Sequence, residues 1–186
     1  MILMLKLEKM KVNVGGSYTE YKYNLSSNST LIENVLLMNK VISDSELVRL
    51  KQNKSNFDFS PTVVNAYYNP LDNSINVPAA LKELYISGDN YYRIFGSIGT
   101  IIAHEITHAF DNNGAKFDEF GNRVDWWSEE DYTKFKELQD DVIEYYSNYE
   151  VIDGIYVDGE QTVGENIADL GGFSDAQNTL ALPIVK

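Results

Sequence analysis

The chain's only two histidines stand four residues apart, in the stretch IIAHEITHAF at 101–110, with a glutamate directly after the first. Residues four apart on an α-helix lie one turn above each other on the same face. His104 and His108 are therefore able to direct one ring nitrogen each at a single ion. Glu105 is rotated by about 100° from His104, which puts it beside that ion, placed to accept a proton from water rather than to serve as a ligand. Ile101, Ile102, Ile106, Ala109 and Phe110 would wall such a site. The competing reading is a pair of satisfied polar residues on a core helix, with no metal.

A catalytic zinc takes three protein ligands and keeps one position for water. The chain has no cysteine and no further histidine, so a carboxylate must be the third ligand, and chemistry alone does not choose among 28 Asp and Glu residues. In GEQTVGENIADLGG (159–172), Glu165 and Asp169 have the i, i+4 spacing of a helix. Two carboxylates so placed repel unless a cation lies near them. Thr162 with Glu165 also has capping-box spacing, and helix statistics favour that reading, with Asp169 merely solvated.

Four stretches in this order, VNAYYNP (64–70), IIAHEITHAFD (101–111), NRVDWW (122–127) and GENIADLGG (164–172), resemble the neprilysin-like family of zinc metallopeptidases. LEKMKV (7–12) is similar to a segment upstream of that family's catalytic motifs, so the resemblance runs from about Leu7 to Gly172. It implies a zincin-like catalytic core with an HExxH helix and one zinc ion per chain. His104 and His108 match the family's helix ligands, Glu165 its third ligand and Glu105 its general base. Asp169 matches a carboxylate expected to bind the outer ring nitrogen of His104 and fix its tautomer. Asn65 and Ala66 match an edge-strand pair that holds the substrate backbone, as extended peptides do when they add to a strand edge. The implied reaction is hydrolysis of short peptides by metal-activated water, on the amino side of apolar residues.

The chain also departs from that family. It lacks the amino-terminal helical lobe and the carboxy-terminal stretch, which supplies a histidine for the oxyanion and an arginine for the substrate carboxylate. Residues 1–186 are thus expected to be one partial catalytic domain, with the missing parts belonging to a longer parent chain or to a partner. An absent oxyanion donor predicts hydrolysis impaired by about a hundred- to a thousandfold. A non-catalytic zinc- or peptide-binding remnant is the alternative function. Ala103 stands where glycine commonly precedes the first histidine.

Composition bounds the remaining classes. A formal charge of −13, with no basic stripe, argues against nucleic acid and anionic membrane surfaces as partners. No run of about 18 apolar residues offers a membrane span, and the start MILMLKLEKM lacks the features of a signal peptide. The compartment is left open.

The elements expected around these motifs make one α+β domain, mostly helical, with a small antiparallel edge-strand region. KMKVNVG (9–15) alternates like a strand. Residues 29–52 read as helix, broken near Ser43, with a Thr30–Glu33 capping box. SPTVVNAYYNP and NSINVPA read as extended segments whose prolines suggest sheet edges. A long helix over 89–114 is expected to end at Gly114, and an amphipathic helix over 128–149 to start at Ser128. Two Asp-Gly pairs, at 153–154 and 158–159, mark turns before a last helix from about Val163.

Overall fold

The structure is a computed structural model that describes residues 6–15, 22–52, 60, 62–84 and 90–181. Its sheet has three strands in the order β1 (Lys11–Gly15), β3 (Ser74–Pro78), β2 (Tyr67–Asn69). The expected antiparallel pair is β2–β3, and β1 joins β3 in parallel on the other side. β2 is an edge, as its flanking proline suggests, whereas β3 is the central strand and is buried along its whole length. Pro78 is tolerated there because it is the last residue of the strand.

The β2–β3 turn is fixed by Asn73, which is fully buried with φ 51°. Asparagine accepts this left-handed conformation more readily than most residues. Its side chain is also satisfied: Nδ2 donates to the Lys6 carbonyl at 2.8 Å, and Oδ1 accepts from the Tyr68 hydroxyl at 3.0 Å. Ser74 and Asn76, buried on β3, complete a polar chain in which Asn13 donates to Asn76, Asn76 to Ser74, and Ser74 to Asp72.

Helix α1 (Leu31–Gln52) runs through Ser43 without the expected break. Its capping box is reciprocal, with Glu33 N–H on Thr30 Oγ1 and Thr30 N–H on Glu33 Oε2. The long helix expected over 89–114 is segmented. Helix α2 (Tyr91–Ile94) leads through a wide π turn at Phe95–Gly99 into α3 (Thr100–His108). Asp89 lies outside the described residues. α3 lays Ile101, Ile102 and Ile106 against a core of Ala66, Ile75, Val77 and Leu81, which fixes the helix face left for chemistry.

Helix α4 (Glu129–Ser147) starts at Ser128, whose hydroxyl accepts from Asp131 N–H at 3.1 Å. Three acidic residues occupy its first turn, where the helix dipole favours them. A hairpin of β4 (Glu150–Ile152) and β5 (Ile155–Tyr156) turns at the first Asp-Gly pair, with Gly154 at φ 74°. The second pair starts a helix instead. α5 (Gly159–Ala181) begins four residues earlier than expected because Asp158 Oδ1 caps Gln161 N–H at 2.9 Å. Among the described residues no helix is long and apolar enough to cross a membrane.

Candidate metal centre

The site forms where α3 crosses α5, and small residues permit the approach. A Cβ on Gly172 would stand 2.8 Å from the His104 amide nitrogen, and one on Gly171 would stand 2.4 Å from Thr107 Oγ1. Ala103 and Ala168 are buried at the same crossing. A larger side chain at Gly172 would meet backbone, which has no rotamer by which to yield. This seam presents Glu165 to the histidines: its Oε2 lies 3.4 Å from His104 Nε2 and 3.6 Å from His108 Nε2. Thr162 does not cap the helix. It lies inside it, its hydroxyl donating to the Asp158 carbonyl at 2.8 Å, so the Thr162–Glu165 capping box does not form.

Each imidazole is held from behind by a carboxylate. His104 Nδ1 pairs with Asp169 Oδ1 at 2.8 Å, and His108 Nδ1 pairs with Asp111 Oδ2 at 2.7 Å. With both Nδ1 atoms engaged, both Nε2 atoms face Glu165. The three donor atoms lie within 4.8 Å of one another. Two ligand atoms about 2.1 Å from a tetrahedral zinc stand roughly 3.4 Å apart, so the donor set and its spacing fit that ion. Two imidazoles and a carboxylate also suit it chemically.

Glu105 lines the cleft between the two histidines and is 6% exposed. Burial pushes its carboxyl above the usual carboxylate range, opposed by the charges of His108 and His104 and by the Tyr68 backbone N–H, which donates to it. For His108, burial lowers the pKa, but the hydrogen bond and charge of Asp111, with Glu105 and Glu165, outweigh it and hold the ring above its ordinary value.

Asn65 and Ala66 line the same cleft, of about 480 Å³, as His104, Glu105, His108 and Glu165. They sit just ahead of β2 rather than within it, and Asn65 Oδ1 accepts from the Ala66 N–H at 3.0 Å. Asp169 stands behind His104 and does not line the cleft.

Asp111 was not marked by the motif reading, although it follows His108 by three residues. Its Oδ1 accepts from the N–H groups of Asn113 and Gly114, both at 2.7 Å, in a tight turn that ends the helix. α3 therefore stops at His108, six residues short of Gly114. Gly114 is required for a different reason than a helix cap. A Cβ there would lie 1.9 Å from the His108 carbonyl oxygen.

Residues 65–181 match peptidase family M13. The chain belongs to that family. An endothelin-converting enzyme homolog of Locusta migratoria is 41% identical over 77% of this chain and 20% of its own length. A neutral endopeptidase of Lactococcus lactis subsp. cremoris is 37% identical over 81% of this chain and 25% of its own. The crystal structure of the Mycobacterium tuberculosis zinc metalloprotease ZMP1 with an inhibitor superposes with a TM-score of 0.75 at 36% identity, covering 100% of this chain and 31% of that one. The chain thus spans between a fifth and a third of the length of these relatives.

Proposed function

We propose that this chain carries the catalytic zinc site of a metalloendopeptidase, with His104, His108 and Glu165 as ligands and Glu105 as general base. The observation that carries the reading is the convergence of two imidazole Nε2 atoms and one carboxylate oxygen beside a buried glutamate. Zinc bound there would supply a Lewis acid that polarises the scissile carbonyl and lowers the pKa of a bound water.

The chain's own residues do the rest. Asp169 and Asp111 keep each Nδ1 protonated, so that each Nε2 is the free donor. Glu105 takes the proton of the attacking water and passes it to the leaving amine. Its raised pKa brings it closer to neutrality than an ordinary carboxyl, which suits a group that must both accept and return a proton. Asn65 and Ala66, on the cleft wall just ahead of β2, align an extended peptide there, as such peptides do when they add to a strand edge. The substrates are peptides, one zinc serves each chain, and the chain is one part of a peptidase catalytic domain.

The test is hydrolysis of an internally quenched peptide with an apolar residue after the scissile bond. Slow turnover is expected, because the Glu165 side chain is 71% exposed and water has free access to the site. Chelation should stop it, added zinc should restore it, and Glu105→Gln should abolish it while leaving the metal bound. Turnover that survives Glu105→Gln would contradict the reading. Bound zinc with no chelator-sensitive turnover would contradict the peptidase activity and leave the metal site standing.

A further inference from the structure

Lys6 is 1% exposed, an unusual position for an ammonium group. Its Nζ donates to three backbone carbonyls: Ala109 at 2.8 Å, Gly114 at 2.8 Å and Phe117 at 2.6 Å. An ammonium has three donors, so all of them are used. The rings of Phe110 and Trp126 lie 5.6 and 5.3 Å away, within range of a cation–π attraction. Burial pulls the amine down to about 8, against the charges of Asp111, Asp118 and Glu119, so the group is still a cation at neutral pH.

These partners are not scattered. Ala109 directly follows His108 and closes α3, whose last carbonyls have no partner inside the helix. Gly114 and Phe117 lie at the far end of the loop that carries Asp111. Gly114 is gripped twice, its carbonyl by Lys6 and its N–H by Asp111 Oδ1. A second branch leaves the Lys6 backbone, whose carbonyl accepts from Asn73, and Asn73 accepts in turn from the Tyr68 hydroxyl.

We propose that Lys6 is a positioning residue of the metal centre: its buried ammonium cross-links the end of α3 to the Asp111 loop and thereby holds the His108 ring. This rests on the zinc reading only for its effect on metal affinity, since the orientation of His108 is a property of the metal-free chain too. The pairing of His104 with Asp169 depends instead on the α3–α5 crossing and lies outside the reach of Lys6.

The experiment is Lys6→Met in the full chain. It keeps an unbranched apolar stem out to the ε position and removes all three donors. With two histidines in the chain, the ring proton signals of the metal-free protein are resolvable by NMR. The expected result is loss, through exchange with water, of the His108 Nδ1–H signal while the carbon-bound ring protons of His104 keep their shifts, with zinc affinity lowered about tenfold or more, as for other groups that orient a ligand. An unchanged His108 signal with zinc affinity within about twofold of the parent would overturn the proposal. Should Lys6→Met fail to fold, Lys6→Gln, which keeps two N–H donors, is expected to give a folded chain with an intermediate loss at His108. Loss of the His108 signal together with a shift of the His104 ring protons, or loss of the fold, in both variants would assign Lys6 to general stability and overturn the specific role. If the parent chain binds no zinc, the zinc reading fails, and the His108 signal still decides the case for Lys6.

Discussion

The two histidines lie one turn apart on α3, yet the supports behind their rings differ in kind. Behind His108 stands Asp111, three residues along, with a side chain 6% exposed and its second oxygen occupied by two backbone N–H groups. Behind His104 stands Asp169, 65 residues along, on another helix, with a side chain 73% exposed. One half of the site is built by a short loop that closes on itself; the other exists only where two helices cross. Local structure therefore sets the His108 ring, and helix packing sets both the His104 ring and the third ligand.

The largest effect is expected from Glu165→Ala, which removes a carboxylate that reaches both imidazoles. Zinc affinity should fall by more than the roughly hundredfold that outer partners reach, as read by competition with a chromophoric chelator. Asp111→Asn and Asp169→Asn test the comparison itself. Both should weaken zinc within the range of about ten- to a hundredfold. Asp111→Asn should lie near the upper limit, because Asp111 is buried with both oxygens accepting, and the amide nitrogen must then face either the His108 ring or the Asn113 and Gly114 N–H groups. Asp169→Asn should lie near the lower limit, since solvent reaches that pair. Equal losses would erase the distinction between the two halves.

Acidification gives a smaller and graded effect. The His108 pKa is raised in the folded chain. In the metal-free protein, the protonated ring therefore contributes stability that is fully present below the ordinary histidine pKa of about 6.5 and is lost as pH rises through the raised folded value. Zinc needs the neutral ring, so its affinity runs the opposite way and should fall about tenfold per pH unit for each proton it must displace. Asp111→Asn removes the main raising partner, and the midpoint of zinc release should then move to lower pH. A midpoint that stays put would separate Asp111 from the titration.

The smallest effect on the metal is expected from Gly172→Ala. The added methyl would crowd the His104 backbone. Overpacking of this sort typically costs about 1–3 kcal/mol, several degrees in Tm at this chain length. The loss in zinc affinity should be only a few-fold and should follow His104 rather than His108.

This division also marks how much was legible beforehand. The His104–Glu105–His108 spacing is a property of one helix and can be read from the residues alone. The partner helix cannot, because Thr162 with Glu165 and Asp158 with Gln161 have equally good spacing for a cap, and spacing alone does not choose between them. Spacing brought Glu165 and Asp169 forward as a pair, and resemblance, not periodicity, implied their roles. Asp111 stayed hidden for a physical reason: apolar periodicity runs past His108, so the segment reads as helix to Gly114. The turn that ends it depends on Lys6, about a hundred residues earlier. The sheet was half legible in the same way. Alternation marked β1, and β-branched and aromatic residues marked β2 and β3, but pairing β1 parallel to β3 is a long-range choice with no local signature.

His104, His108 and Glu165 are proposed to hold one zinc ion. The most direct test is the metal content of the purified chain, prepared without chelator, beside Glu165→Ala prepared identically. The structure predicts one zinc per chain in the parent and little or none in the variant. No stoichiometric metal in the parent, or the same content in both, would contradict it.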